Sequence, residues 1–371
     1  MKSISHIFEN IIDLDNIVNT MHSAMRGKRK NRSIDKFLNP DNILHNAYKI
    51  QKCLLSGILP KQENRVPKVI HEPSAGKDRK IFPPRNEEHV IHHLVCQELE
   101  KMFMRGMYEF CVASVPGRGG SYGGKFMKKW IKHIGNKRIY VLKLDIHHFF
   151  DSIDRRILFD KLSKRIKDHR FLDVIRKILW YDCDENDIGI PIGFYSSQWF
   201  ANFFLQDFDY YVKQKLMIPY YMRYMDDMIL MCPNKRKLRN AFENIKDYLS
   251  SIGLELNDNY QLFKFSYIDK DGKEKGRAID FMGYVFHRNR ITIRKRTLFR
   301  TRRKANKISK KKIHNWFEAS QVISMIGRLK GTDTYRFFKK YIENKVNLRK
   351  MKLLVSIHSK KLSFKRRHHV S

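Results

Sequence analysis

The chain has 371 residues, 42% hydrophobic and 12% aromatic, which suits a sizeable core with more than one lobe and excludes a disordered chain. Seventy-five Lys and Arg against 38 Asp and Glu leave a formal net charge of +37, which points to a polyanionic partner, and with the aromatics to nucleic acid. No long apolar run or amphipathic anchor supports a membrane partner. The acid-interrupted N-terminus is a poor signal peptide, and five Cys without a CxxC pair fit reduced thiols in a cytoplasmic protein with no zinc site.

Residues 1–60 carry helical periodicity, broken by the basic run RGKRKNR at 26–32, a solvated loop or a nucleic-acid contact. Residues 66–84 suit two short strands around a Gly-containing turn, and 87–103 a helix with acids at its N-terminal dipole. On that helix, His92 and His93 suit packing or surface roles more than metal ligation. GRGGSYGGK (117–125) nearly spells a phosphate loop, but Phe126 stands where Ser or Thr is needed. A flexible loop bringing its backbone and Arg118 to nucleic acid fits better. Residues 138–162 predict a strand ending at Asp145 and running into a helix, with Asp151, Ser152 and Asp154 as candidate N-caps. A Gly/Pro turn then leads to an aromatic-rich helix (189–212). YYMRYMDDMILMCP (220–233) predicts a hairpin with Asp226 and Asp227 at its tip, and 235–256 an amphipathic helix leading into a short strand. Two strands around a polar turn are expected over 278–295. Residues 296–371 suit a basic helical region with 23 Lys and Arg against three Asp and Glu, packed on Trp316, Phe317, Ile323 and Ile326.

Adjacent carboxylates inside an apolar run need compensation. Two like charges about 4 Å apart cost about 4 kcal/mol at an effective dielectric near 20. A hairpin turn alone would explain Asp226 and Asp227. It would not explain Asp145 at the end of a matching apolar strand. If the strand and hairpin are neighbours in one sheet, three carboxylates converge, a set suited to Mg²⁺. Two such ions can bridge a triphosphate and a 3′-hydroxyl.

YMRYMDD resembles the YxDD box of reverse transcriptases. KLDIHHFFDSI resembles the first palm motif of that family, GIPIGFYSSQWFAN its template-contacting motif, and DFMGY the turn that holds the primer end. The four occur in family order over roughly 66–290. The resemblance implies an α+β, right-hand polymerase fold with fingers, a palm of antiparallel sheet plus helices, and a helical basic thumb. Its divisions would be 1–87 (N-terminal helices and fingers), 88–150 (palm), 151–188 (fingers), 189–287 (palm) and 288–371 (thumb). It implies catalysis by Asp145, Asp226 and Asp227. It further implies metal ligation at Asp145, Ile146, Asp226 and Asp227 for two Mg²⁺ ions, with Mn²⁺ as an alternative.

The same resemblance assigns Lys77, Arg79, Phe150 and Gln198 to the incoming dNTP, with Phe150 as the gate against a 2′-hydroxyl. Ile192 and Gly193 would meet the template, and Met282 and Gly283 the primer. The implied partners are template RNA, an RNA/DNA hybrid and dNTPs. One departure stands out: Asn259 occupies the segment where similar enzymes often carry Lys as a proton donor, and Lys264 is the nearby substitute. IGFYSSQ (192–198) is similar to the motif of diversity-generating retroelement enzymes, which copy a template RNA with errors opposite adenine. They work with a small basic accessory variability protein; Ile192 and Arg79 match positions tied to that infidelity. The SQ pair also occurs in antiphage-defence reverse transcriptases, so that reading stays open beside the first. So does an RNA-binding protein with a degenerate polymerase fold. A bacterial or phage-encoded cytoplasmic protein is implied.

Overall fold

The computed structural model describes residues 7–27, 32–60, 68–72, 77–81, 83–180, 187–311, 313–329 and 331–368. Most of the basic run at 26–32, the turn at 73–76 and Cys183 lie outside them. The class is α+β. Helices α1 (Phe8–Ile12), α2 (Leu14–Ala24), α3 (Arg32–Phe37) and α4 (Pro40–Ser56) open the chain. Asp13 caps α2 by accepting from the Asn16 N–H, and α4 has Pro at its first turn and the left-handed Gly57 at its end. Strands β1 (Lys68–Glu72) and β2 (Lys77–Ile81) form the expected antiparallel hairpin. Next come α5 (Asn86–Arg105), α6 (Gly120–Ile134), β3 (Tyr140–Asp145), α7 (Phe149–Ser152), α8 (Arg155–Ser163) and α9 (His169–Leu179).

Of the three candidate caps before α8, only Asp154 serves. It accepts from the N–H groups of Arg156 and Ile157, whereas Asp151 and Ser152 fall inside α7. Helices α10 (Tyr195–Phe204) and α11 (Gln206–Tyr210) run into a π turn, Tyr211–Lys215. The hairpin β4 (Tyr220–Tyr224) and β5 (Asp227–Cys232) follows, then α12 (Lys235–Ser251), capped by Asn234. Strand β6 (Gln261–Lys264) completes a four-stranded sheet in the order β4–β5–β3–β6.

Two compact units emerge. The first comprises Met1–Gly119 with Leu142–Leu262. Its core joins α5 to α10 through Phe103, whose ring lies 4.8 Å from Phe203 and 5.9 Å from Trp199. His92 and His93 pack, as expected. His92 Nδ1 lies 2.7 Å from Ser196 Oγ, and the His93 ring stacks on Tyr195 at 3.8 Å. Asp168 caps α9 through Phe171 N–H and also accepts from the N–H groups of Ile7 and Phe8, tying the chain's start to α9.

The second unit comprises Gly120–Val141 with Phe263–Ser371. It holds the short hairpin β7 (Tyr267–Ile268) and β8 (Glu274–Lys275) and the sheet β9 (Ile279–Phe281), β10 (Tyr284–Phe286) and β11 (Ile291–Ile293). Its helices are α13 (Lys295–Ser309), α14 (Trp316–Leu329), α15 (Tyr335–Phe338), continued by a π turn, and α16 (Leu348–His368). Three strands stand where two were expected, because the chain reverses tightly at Met282–Gly283, both at positive φ.

The Gly-rich stretch is also not the expected loop, since α6 begins at Gly120. Gly120 and Gly124, one turn apart, present a side-chain-free face to the ring of Tyr284. Arg118 does not reach outward: its Nη1 donates to the carbonyls of Tyr108 (2.6 Å) and Cys111 (3.0 Å). The C-terminal core is built from Ala305, Ile308, Ala319, Val322, Ile342 and Met351, with Ile323 and Ile326 packed against it. Phe317, expected inside, is 59% exposed, and Trp316 packs on the His358 ring.

Candidate active site

Period-two alternation in β3 buries Leu142 and Leu144 and turns Lys143 and Asp145 to the more open face. Just past the strand, the Ile146 N–H donates to the Asp226 carbonyl at 3.3 Å, while Asp145 O accepts from Asn257 N–H at 2.8 Å. The hairpin tip therefore sits against the end of the strand carrying Asp145. Tyr224 pairs with Asp227 in the ladder, so Met225 and Asp226 form the turn. Met225 has φ +60, a left-handed conformation that costs a non-glycine residue about 1–3 kcal/mol and persists where surroundings enforce it.

Asp227 is perturbed by its surroundings. Burial pushes its carboxyl up to about 7; Lys143 opposes this, and the charges of Asp145 and Asp226 add to it. Lys143 Nζ stands 3.5 Å from Asp227 Oδ2, and the buried Oδ1 has no hydrogen-bond partner. Among the described residues, no three His, Cys, Asp or Glu side chains are gathered into one metal cage. The backbone brings Asp145, Ile146, Asp226 and Asp227 together. An oxygen-only donor set with one orphaned buried oxygen suits a hard divalent cation.

The other predicted site residues divide by location. Phe150, half-buried beside Phe149, accepts the Ile190 N–H at 2.8 Å, which anchors the turn leading to the template motif. Ile192 is half-buried, and Gly193 is exposed at φ +117. Ser197 Oγ ties the loop by donating to Pro191 O, and Gln198 is exposed on α10. All these lie in the first unit. Lys77 and Arg79 lie on β2, opposite Glu72 and Ile70; their side chains fall outside the described residues. Met282 and Gly283 make the β9–β10 turn in the second unit, where Gly283 O accepts from Arg294 N–H. Asn259 is exposed and bonds Asn257, whereas Lys264 Nζ covers the Tyr267 ring at 3.3 Å.

Sequence reasoning missed four residues. Lys143 was detectable from its i, i+2 spacing to Asp145. Arg223, Asp209 and Asn202 were not, because their meeting is purely tertiary. Burial alone opposes the Arg223 charge, yet Asp209 holds the guanidinium protonated above its usual range.

A strand-end carboxylate faces a tight hairpin carrying two more, which gathers three acids at one end of the sheet. The chain matches the reverse transcriptase (RNA-dependent DNA polymerase) family over residues 71–286, more than half its length, and belongs to that family; its fold class is the right-hand polymerase type. Among curated proteins it is similar to the retron Ec73 reverse transcriptase of Escherichia coli. The two are 30% identical over 145 residues, 36% of this chain and 45% of that protein. Protein YkfC of Escherichia coli K12 is 23% identical over 176 residues, 44% of each. The chain thus spans less than half the length of these relatives. Among solved structures, apo telomerase from Candida tropicalis aligns with a TM-score of 0.47 at 12% identity, over 64% of this chain and 56% of that one. No helix among the described residues is long and apolar enough to cross a membrane.

Proposed function

We propose that the protein is an RNA-directed DNA polymerase that makes cDNA on an RNA template from dNTPs. The observation that carries this is the contact of Ile146 N–H with Asp226 O, which joins the Asp145 strand end to the Met225–Asp226 turn, with Asp227 next to it at the start of β5. Asp145 and Asp226, with the Ile146 carbonyl and Asp227 beside them, would hold Mg²⁺ or Mn²⁺. Bound there, the ions supply charge neutralisation at the attacking 3′-hydroxyl and the triphosphate. Lys143 steadies Asp227 from the neighbouring strand. Phe150 presents the ring that would exclude a 2′-hydroxyl, and the bare Gly193 backbone lets a template strand approach. Lys77 and Arg79 would hold the triphosphate, Gln198 the nascent pair, and Met282 and Gly283 the primer end. In this reading the divisions are N-terminal helices and fingers in 1–87, fingers in 151–188, palm in 88–150 and 189–287, and thumb in 288–371.

The finer reading is error-prone copying of a template-repeat RNA in a diversity-generating retroelement, with a small basic accessory protein. The motif IGFYSSQ supports it, with Ile192 and Arg79 at the matching positions. A second reading, a bacterial reverse transcriptase of another lineage including antiphage-defence types, is favoured by the segment 30% identical to a retron enzyme. Purified protein given primed RNA of all four bases, Mg²⁺ and dNTPs, followed by product sequencing, separates them. Errors concentrated opposite adenine support the first, and faithful copying the second. Asp226→Ala should abolish synthesis while RNA binding stays; retained synthesis removes Asp226 from the chemistry.

A further inference from the structure

Arg223 is one of 75 basic residues in a chain of net charge +37, yet it is fully buried, as is its partner Asp209. The contact is a two-pronged fork, with Nε to Oδ1 at 2.8 Å and Nη2 to Oδ2 at 2.6 Å. The remaining donors go to Asn202 Oδ1 (3.1 Å), Asn202 O (3.5 Å) and Met225 O (3.1 Å). Every N–H of the guanidinium is thus used. Asp209 also accepts from Tyr221 OH at 2.7 Å, and Asn202 Nδ2 donates to Ala113 O. Arg223 N–H and C=O bond Phe110 O and Val112 N–H, so the anchor is held by its backbone as well.

A buried ion pair is weak evidence for stability, because apolar replacements of similar volume often do as well. What an apolar pair could not do is bind the Met225 carbonyl. That carbonyl belongs to the peptide joining Met225, at φ +60, to Asp226. Its orientation sets the direction in which Asp226 leaves the turn.

We propose that Arg223 is a positioning residue for nucleotidyl transfer: clamped by Asp209 and Asn202, it holds the Met225 carbonyl, keeps the turn left-handed and so fixes where Asp226 and Asp227 stand. The inference rests on the polymerase reading above. Lysine keeps the charge facing Asp209 but lacks the fork that reaches Asp209, Asn202 and Met225 together.

The test measures kcat, dNTP KM, RNA affinity and the urea midpoint for wild type and Arg223→Lys. A roughly 10–100-fold fall in kcat is expected, with KM and RNA affinity near wild type, because the acids are misplaced rather than removed. Adding Met225→Gly should recover most of the loss, since glycine takes positive φ without help; it would not repair a merely weakened core. If the Lys variant fails to fold, Arg223→Met with Asp209→Leu removes both charges at once and carries the same expectations. Wild-type kcat in a folded variant, or a loss untouched by Met225→Gly, overturns the proposal. Absence of synthesis by the wild-type protein itself overturns the polymerase reading, and this proposal with it.

Discussion

Asp227→Asn should stabilise the metal-free protein, and more so as pH rises. The Asp227 carboxyl stands at about 7 instead of 3.8, chiefly because it is buried; its side chain is 25% exposed. A raised acid means that the folded state binds more protons than the unfolded chain between those two values. Stability from this group therefore falls as pH rises from about 4 to about 7, by a total of about 4 kcal/mol. Between pH 5 and pH 8 the loss is roughly 2–3 kcal/mol by the same linkage. Asparagine carries no charge and escapes it. Urea unfolding in EDTA at pH 5 and pH 8 would show the gap between variant and wild type widening by that amount. Mg²⁺ should narrow the gap at pH 8 by binding the wild-type acids preferentially. Parallel pH profiles for the two proteins would refute the claim that burial and like charge load Asp227.

Two further outcomes follow from the packing. Asp168 has burial working against its charge, but the N–H groups of Phe8, Phe171 and Ile7, with Arg170, hold its carboxyl below the usual range. Asp168→Ala should cost roughly 2–4 kcal/mol, from a lost cap and two orphaned buried N–H groups. That deficit should be full at pH 6 and shrink as pH drops below about 4, as urea midpoints would report; an unchanged midpoint at pH 6 would exclude the tie between α1 and α9. Gly276 and Gly124 should respond oppositely to alanine. At Gly276, φ is +84 and a Cβ would meet Phe265 O at 2.7 Å, so the change should cost roughly 2–4 kcal/mol. At helical Gly124 a Cβ would rest at 3.7 Å from the Tyr284 ring, an ordinary contact, so the change should gain about 0.5–1 kcal/mol. Thermal melts with the same sign for both would contradict these backbone assignments.

The sequence by itself determined the local elements and the catalytic candidates. Alternation in YVLKLD and the paired apolar arms around Asp226 and Asp227 specify a strand and a hairpin, because period-two burial and turn chemistry act within a few residues, although the turn itself falls one residue earlier, at Met225–Asp226. The cap at Asp154 was legible for the same reason, whereas those at Asp13 and Asn234 emerged only in the structure. Local rules failed where a distant surface decided. GRGGSYGGK has a loop's composition, yet Tyr284 offers a ring against which a glycine face can lie, and the segment is helical from Gly120. Arg118 had an outward-facing sequence context, but two carbonyls of the preceding loop claim it. Phe317 matched the apolar spacing of α14 and still faces solvent, because the core of that helix forms on Ala319 and Val322. Tertiary structure alone decided how the acids are held. Residues 202, 209 and 223 share no pattern along the chain, and a buried cation becomes tolerable only where folding brings Asp209, Asn202 and the Met225 carbonyl around it. Desolvation makes that meeting obligatory: a guanidinium withdrawn from water must find every partner inside the protein.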